Sequence, residues 1–244
     1  MYEAGSMTFD EVLKARRSTR SFLDKEVPES LIKELLADAL CSPSSTNTQA
    51  YRVAIARGET RDKLADALTK TYDRAMKVKQ QPLPLKLVSG VFGGVLPNGD
   101  FKTDMDDPKE LKARAIECGK GLYGTLGIER HDRAGRDRQM RKNFEFFGAP
   151  VEIFLFVHGK RGVSSALDGG IFLQSLMLSA TSRGLATCAQ ASVAMWGGTV
   201  RKFFDVEDDY KLICGLSLGY PSDDIVNTFQ PEKRSVEELC FNVS

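Results

Sequence analysis

The sequence predicts an α+β protein. Charged, amphipathic stretches with apolar residues at helical spacing are interspersed with β-rich apolar runs at residues 51–56, 151–157 and 211–219. A chain of 244 residues, 42% of them hydrophobic, is long enough to close a core around those runs. We read it as one domain, residues 1–244, with a variable excursion over about 82–130.

The elements follow in order. Thr8, with Glu11 three positions on and Val12 and Leu13 behind it, is a capping-box signal and predicts a short helix over residues 9–16. Past Arg17 the pattern becomes extended, so Ser18 and Arg20 point the same way, with Arg16 arriving from the helix end. Pro28 suits a first helical position, and Leu31, Leu35, Leu36 and Leu40 follow at amphipathic spacing until Pro43 forces a stop near Ser42. A polar loop, 44–49, leads into the first strand, and a charged helix spans 61–79.

Gln81 and Pro82 break that helix. From there to about Asp107 the glycines at 90, 93, 94 and 99 show no clean periodicity, so this stretch is expected to be loop and is assigned to substrate access. It carries no dinucleotide fingerprint. Helices are expected over 108–123 and 130–147, then a central strand at 151–157. Ser165 and Asp168 mark the start of an apolar helix, core or subunit interface, that Gly184 can end. A short strand at 186–192, a helix at 198–204 and a strand at 211–219 follow, and Val236 to Phe241 would make a last strand or arm. Gly215, Ser217 and Gly219 formally match the nucleophile elbow of hydrolases. That motif needs a sharp strand-to-helix turn and a later histidine, whereas Ser217 lies inside an apolar run and no histidine follows it.

Composition excludes several classes. A net charge of +1, from 34 basic and 33 acidic residues, gives no global field for nucleic acid or an anionic membrane. No apolar run is long enough to span a bilayer, and the first residues do not resemble a signal peptide, so a cytoplasmic protein is expected. Five cysteines without C-x-x-C spacing read as reduced, mostly buried thiols, and His131 and His158 alone make no zinc set.

What remains is local chemistry. Arg16, Arg17 and Arg20 stand close in sequence to Ser44, Ser45 and Asn47, which is equipment for gripping a phosphorylated, polar small molecule. The run Arg16-Arg17-Ser18-Thr19-Arg20-Ser21-Phe22, followed by Pro43-Ser44-Ser45-Thr46-Asn47-Thr48-Gln49, resembles the N-terminal signatures of the nitroreductase family of flavin mononucleotide enzymes. The likeness continues through Asn143 to Pro150, Gly184 to Ser192, and Leu218 to Pro221, reaching Arg234. The stretch from Gly121 to Asn143 is closest to the nitrobenzoate-reductase branch.

The resemblance implies a mostly antiparallel sheet flanked by helices, in an intertwined homodimer that binds FMN and uses NADH or NADPH. By its pattern, Arg16 and Arg234 match phosphate-binding positions, Arg17 and Ser18 lie near the phosphate and ribityl chain, and Arg20 faces the pyrimidine edge. Asn143 matches a ring- or ribityl-contacting amide, and the backbone at Ala191 and Ser192 faces flavin N5. Ser44, Ser45 and Asn47 would reach the flavin from the other subunit. The implied activity is ping-pong hydride transfer to a nitroaromatic, quinone or enone acceptor, with no catalytic side chain. Alternatives are a flavin-consuming or dehalogenating enzyme, or a non-enzymatic flavin carrier. The chain departs from the family in Gln49-Ala50-Tyr51 and Cys188-Ala189-Gln190, where relatives often carry proline.

Overall fold

The computed structural model describes residues 7–82, 95–101 and 107–241. Four strands among them, β1 (Tyr51–Arg57), β2 (Val151–His158), β3 (Ala186–Gln190) and β4 (Tyr210–Gly219), form one antiparallel sheet in the order β1-β2-β4-β3. Every residue of β2 from Val151 to Val157 is buried, so its side chains must find apolar partners on both faces of the sheet.

On one face Val151, Ile153, Leu155 and Val157 pack with Ile32 and Leu35 of α2 (Glu29–Ala39) and with Phe172 and Leu176 of α6 (Val163–Ser182). Opposite, Phe154 and Phe156 meet Leu64, Leu68 and Tyr72 of α3 (Gly58–Lys79), together with Phe144 and Trp196. A bulge in β4 pairs Leu155 with Cys214 but Phe156 with Leu212, leaving Ile213 as the extra residue. Leu212 is thereby turned onto the Phe156 face, while Cys214, Leu216 and Leu218 stay with the α2 and α6 side.

The remaining helices are α1 (Phe9–Ala15), α4 (Lys109–Thr125), α5 (Arg133–Arg141), α7 (Gly197–Val200) and α8 (Val236–Leu239). The α1 capping box forms as read: Glu11 accepts from the Thr8 backbone while its own N–H donates to Thr8 Oγ1. Gly184, at φ 72°, follows α6 where a stop was expected. None of the described helices is long and apolar enough to cross a membrane.

Several expectations are corrected. Helix α3 starts at Gly58, ahead of 61, and α6 at Val163, where Ser165 bonds back to His158 O and Gly162 O instead of capping. The expected helix over 130–147 ends at Arg141 and tightens into a 3₁₀ turn, Lys142–Gly148, in which Phe146 and Phe147 hold φ of 55° and 52°. Strand β3 stops at Gln190, and Ser192 opens a 3₁₀ turn, Ser192–Trp196. The helix read at 198–204 is the single turn α7 plus the 3₁₀ turn Arg201–Phe203. Val236 to Leu239 is a helical turn with its own capping box, Ser235 with Glu238, not a strand. Three of the five free thiols, Cys41, Cys118 and Cys240, are exposed; only Cys188 and Cys214 lie on the buried faces of the sheet. Much of the loop read at 82–107, residues 83–94 and 102–106, lies outside the described residues.

Leu216 is fully buried between β2, α2 and α6. Leu216→Ala is expected to destabilise the fold by about 2–5 kcal/mol through lost burial and a residual cavity, read as a lowered denaturant midpoint.

Candidate active site

The outer edge of β3 organises the arginine segment. Its inner edge pairs with β4, and on the other side Ser18 bridges Thr187 in parallel, with the Thr19 N–H donating to Thr187 O at 2.9 Å. Asn227, 207 residues away in sequence, clamps this segment. Its side-chain oxygen accepts the Arg20 N–H at 2.8 Å, its amide donates to Ser21 O and Ser222 O, and its backbone carbonyl accepts from Arg17 Nη1. Arg20 folds its guanidinium back onto Ser18 O at 3.2 Å. Arg16 closes α1, and its half-buried side chain has no ion-pair partner among the described residues. A cationic side chain held there without a counter-charge is suited to an anionic ligand. Arg234, by contrast, is engaged by Glu110 in the first turn of α4.

The other end of β3 carries the remaining residues. The Gln190 side-chain amide donates to Asn143 O at 2.7 Å, tying the 3₁₀ turn Lys142–Gly148 to the strand just before Ala191 and Ser192. Asn143 turns its own amide onto Met140 O. Arg61 holds the same turn from α3, donating to Glu145 O at 2.7 Å and Ala149 O at 2.9 Å. Left-handed backbone at two phenylalanines costs on the order of 1 kcal/mol or more each and persists only where surrounding contacts over-determine it. Arg61, Gln190 and the burial of both rings supply those contacts here.

Beside Ser192 opens a cleft of about 1010 Å³, lined among others by Tyr72, Tyr123, Met140, Phe144 and Trp196. Ser192 Oγ is buried with no hydrogen-bond partner among the described residues, a donor and acceptor left over there. Lys79, Arg133 and Arg136 also line this cleft, opposed by Asp137. Phe147 does not reach it, because it packs with Phe22, Ala149 and Cys188.

The polar loop lies elsewhere. Its 3₁₀ turn, Ser45–Asn47, is anchored to α6 by Asp168, whose carboxylate accepts the Ser45 N–H at 3.1 and 3.2 Å. Arg161 donates to Ser45 Oγ, Ser44 Oγ accepts the Gln49 N–H, and Asn47 accepts from the Gln49 side chain. Thr46, Asn47 and Gln49 all have positive φ. Arg17 shares a concavity with Thr181 and Gly184 at the far end of the same helix. The thirteen steps from Asp168 to Thr181 put about 20 Å between the two places. Within one chain the loop and the arginines therefore do not converge, whereas Ser18, Arg20, Asn143, Ala191 and Ser192 are all gathered along β3.

Sequence reasoning missed Asn227, Arg61, Asp168 and Gln190. Gln190 adjoins residues that were singled out and Asp168 was read only as part of a helix start, while nothing in the spacing marks Asn227 or Arg61, whose partners are distant in the chain.

An arginine-bearing segment along one edge of β3 and an aromatic cleft beyond its end, on an antiparallel sheet covered by helices, make up an α+β scaffold. The chain belongs to the nitroreductase family, whose model matches residues 13–220. It is 32% identical over 217 residues to 4-nitrobenzoate reductase of Pseudomonas putida, covering 88% of this chain and 86% of that one. It is 29% identical over 232 residues to nitrobenzene nitroreductase of Ectopseudomonas oleovorans, covering 94% of each. Among solved structures it resembles the FMN-dependent nitroreductase NfnB from Mycobacterium smegmatis in complex with NADPH, with a TM-score of 0.83 and 29% identity over 96% of this chain and 97% of that one.

Burial pushes the Cys188 thiol up to about 11 and the Cys214 thiol up to about 12. Alkylation of the folded protein at about pH 8 is expected to leave both unmodified, since neither presents a thiolate. Peptide mass mapping before and after unfolding checks this.

Proposed function

We propose that the chain is an FMN-dependent NAD(P)H nitroreductase that works as a homodimer. The observation that carries this reading is the strand β3 itself, which sets Ser18 and Arg20 at one end and Asn143, Ala191 and Ser192 at the other, beside an aromatic cleft. The residues fit the cofactor: among the described residues Arg16 has no ion-pair partner and suits a phosphate dianion, and the Ser192 hydroxyl has no hydrogen-bond partner where a ring edge would arrive.

Arg16 would hold the phosphate, joined by Arg234 once its pairing with Glu110 is exchanged. Arg17 and Ser18 would bind near the ribityl chain. Arg20 would place a fixed positive charge at the pyrimidine edge, where negative charge develops on reduction. Backbone N–H groups at Ala191 and Ser192 would face N5. When bound, FMN would supply the hydride-carrying redox chemistry between NADH or NADPH and the acceptor, which would occupy the site in turn. The protein positions both partners in turn, and no side-chain acid or base is assigned.

The separation of the polar loop from the arginines favours the dimer. Ser44, Ser45 and Asn47 would complete the partner's site, as each chain alone leaves them about 20 Å away along α6. The cleft favours flat acceptors, and Lys79, Arg133 and Arg136 on its wall suit an aromatic acceptor that carries a carboxylate. 4-Nitrobenzoate is such a molecule.

The purified protein is expected to be yellow, to have twice the chain mass in solution, and to lose its flavin absorbance when NADPH is added anaerobically. A colourless monomer that takes up no FMN overturns the proposal; intact flavin that NADH and NADPH both fail to bleach points to a carrier instead. Loss of flavin on aerobic turnover, or halide release, would identify the other enzyme classes. Arg16→Ala is expected to weaken FMN binding by roughly tenfold or more, the worth of a charge-assisted phosphate contact, measured by fluorescence titration.

A further inference from the structure

Glu152 is the second residue of β2, which is otherwise apolar from Val151 to Val157. It is fully buried, and the register lines it up across the sheet with Ser217 on β4 and Cys188 on β3, so all three share a face. Gly215 makes room for it: a side-chain carbon at that position would overlap Glu152 Oε1. This acid has no role among the expectations drawn from the sequence, although a charged residue interrupting Val151 to Val157 is itself a signal.

The hydrogen bonds around Glu152 fix where its proton is. Ser217 Oγ lies 2.8 Å from Glu152 Oε2 and 2.6 Å from Gln190 Oε1. Gln190 has only one orientation available, because its amide nitrogen must donate to the Asn143 carbonyl at 2.7 Å, and a carbonyl can only accept. Gln190 Oε1 therefore faces Ser217 and accepts the single hydroxyl proton. That leaves nothing for Ser217 to give Glu152. An ionised Glu152 would place two acceptors at hydrogen-bond distance with no hydrogen between them, in a site without water-exposed surface.

We propose that Glu152 is a protonated positioning residue, the head of a one-way hydrogen-bond chain from Glu152 through Ser217 and Gln190 to the Asn143 carbonyl. The chain fixes Asn143 and the start of the Ala191–Ser192 turn against each other. As a flavin-site device it rests on the FMN reading above; as a statement about the proton it does not.

The surroundings agree. Burial raises the Glu152 carboxyl well above the ordinary carboxylate range against the opposing field of Arg61, and the hydrogen bond that the protonated acid gives Ser217 holds the neutral form further. The other titratable groups whose fields reach it are Cys188 on β3 and Cys214 on β4, both kept neutral by burial, with Arg20 acting on Cys188 from beyond. A neutral Glu152 also adds no negative charge behind a site built to receive an anion.

The sign of the pH dependence follows. In the unfolded chain Glu152 loses its proton near 4.5, and in the folded protein it keeps it to higher pH. The contribution to stability is thus fully present below the unfolded value and declines as pH rises, by up to about tenfold in the folding constant per pH unit, until the folded carboxyl titrates. Glu152→Gln keeps a donor toward Ser217 and has no proton to lose. Thermal and denaturant unfolding of the full chain from about pH 5 to about pH 8 should show wild type losing ground to Glu152→Gln as pH rises; parallel curves overturn the protonated state. If Glu152→Gln does not fold, the infrared carbonyl band of a protonated acid in folded wild type at neutral pH decides: present supports it, absent overturns it. Ser217→Ala breaks the chain and should raise the FMN dissociation constant by about tenfold, while Glu152→Gln stays near wild type. Equal FMN affinity in Ser217→Ala and wild type overturns the positioning role. Failure of wild type to bind FMN sinks the flavin reading alone, since the unfolding and infrared measurements still report on the proton.

Discussion

Burial of β2 on both faces is the constraint from which the rest of the architecture follows. A strand with apolar side chains on both sides needs two layers of helix, and the layers differ in character. Mostly aliphatic side chains from α2 and α6, with Phe172 among them, fill one side. The other is filled by aromatic rings, Phe144, Phe154, Phe156 and Trp196, with α3 behind them. The cleft of about 1010 Å³ opens on that side, with Phe144 and Trp196 in its wall. The face that carries Phe144 and Trp196 is thus the one that offers ring surfaces to a flat ligand.

The position of β3 at the end of the sheet does the rest. It has one free edge, and an exposed edge must be covered or it remains a site for unwanted pairing. Residues 18–22 cover it, fixed by Thr187 O and by the Asn227 side chain. The same contacts that close the edge therefore carry Ser18 and Arg20 into register with Ala191 and Ser192. Structural need and site assembly are met by one set of hydrogen bonds.

Much of this was legible in the sequence. Periodicity and turn chemistry placed the helices around α1, α2, α3 and α6 and all four strands, because long apolar patterns admit few alternatives. The failures have a common cause. Phe146 and Phe147 adopt left-handed backbone that no local preference favours, held by Arg61 from a helix some eighty residues earlier. Ser165 has the look of a cap but bonds to the carbonyl ending β2. Asn227 and Gln190 act through carbonyls, which carry no sequence signature. Tertiary hydrogen bonds to the backbone are invisible to pattern reasoning, and the candidate site depends on several of them. The arginine and serine residues that were visible are those whose own side chains would meet a ligand.

The placement of the polar loop has an energetic consequence. Asp168 holds Ser45 at the first turns of α6, while the arginine segment lies against its last turns, so the two cannot share a ligand within one chain. On the proposed dimer each flavin would bridge two chains. Binding and association are then linked: whatever affinity the loop of one subunit adds to the cofactor of the other must appear equally as stabilisation of the dimer. The proposed dimer would also give a use to the positive-φ backbone at Thr46, Asn47 and Gln49. A loop that only connected α2 to β1 would gain nothing from three residues at positive φ, whereas a loop that presents hydroxyl and amide groups to a second chain must hold a fixed shape before that chain arrives.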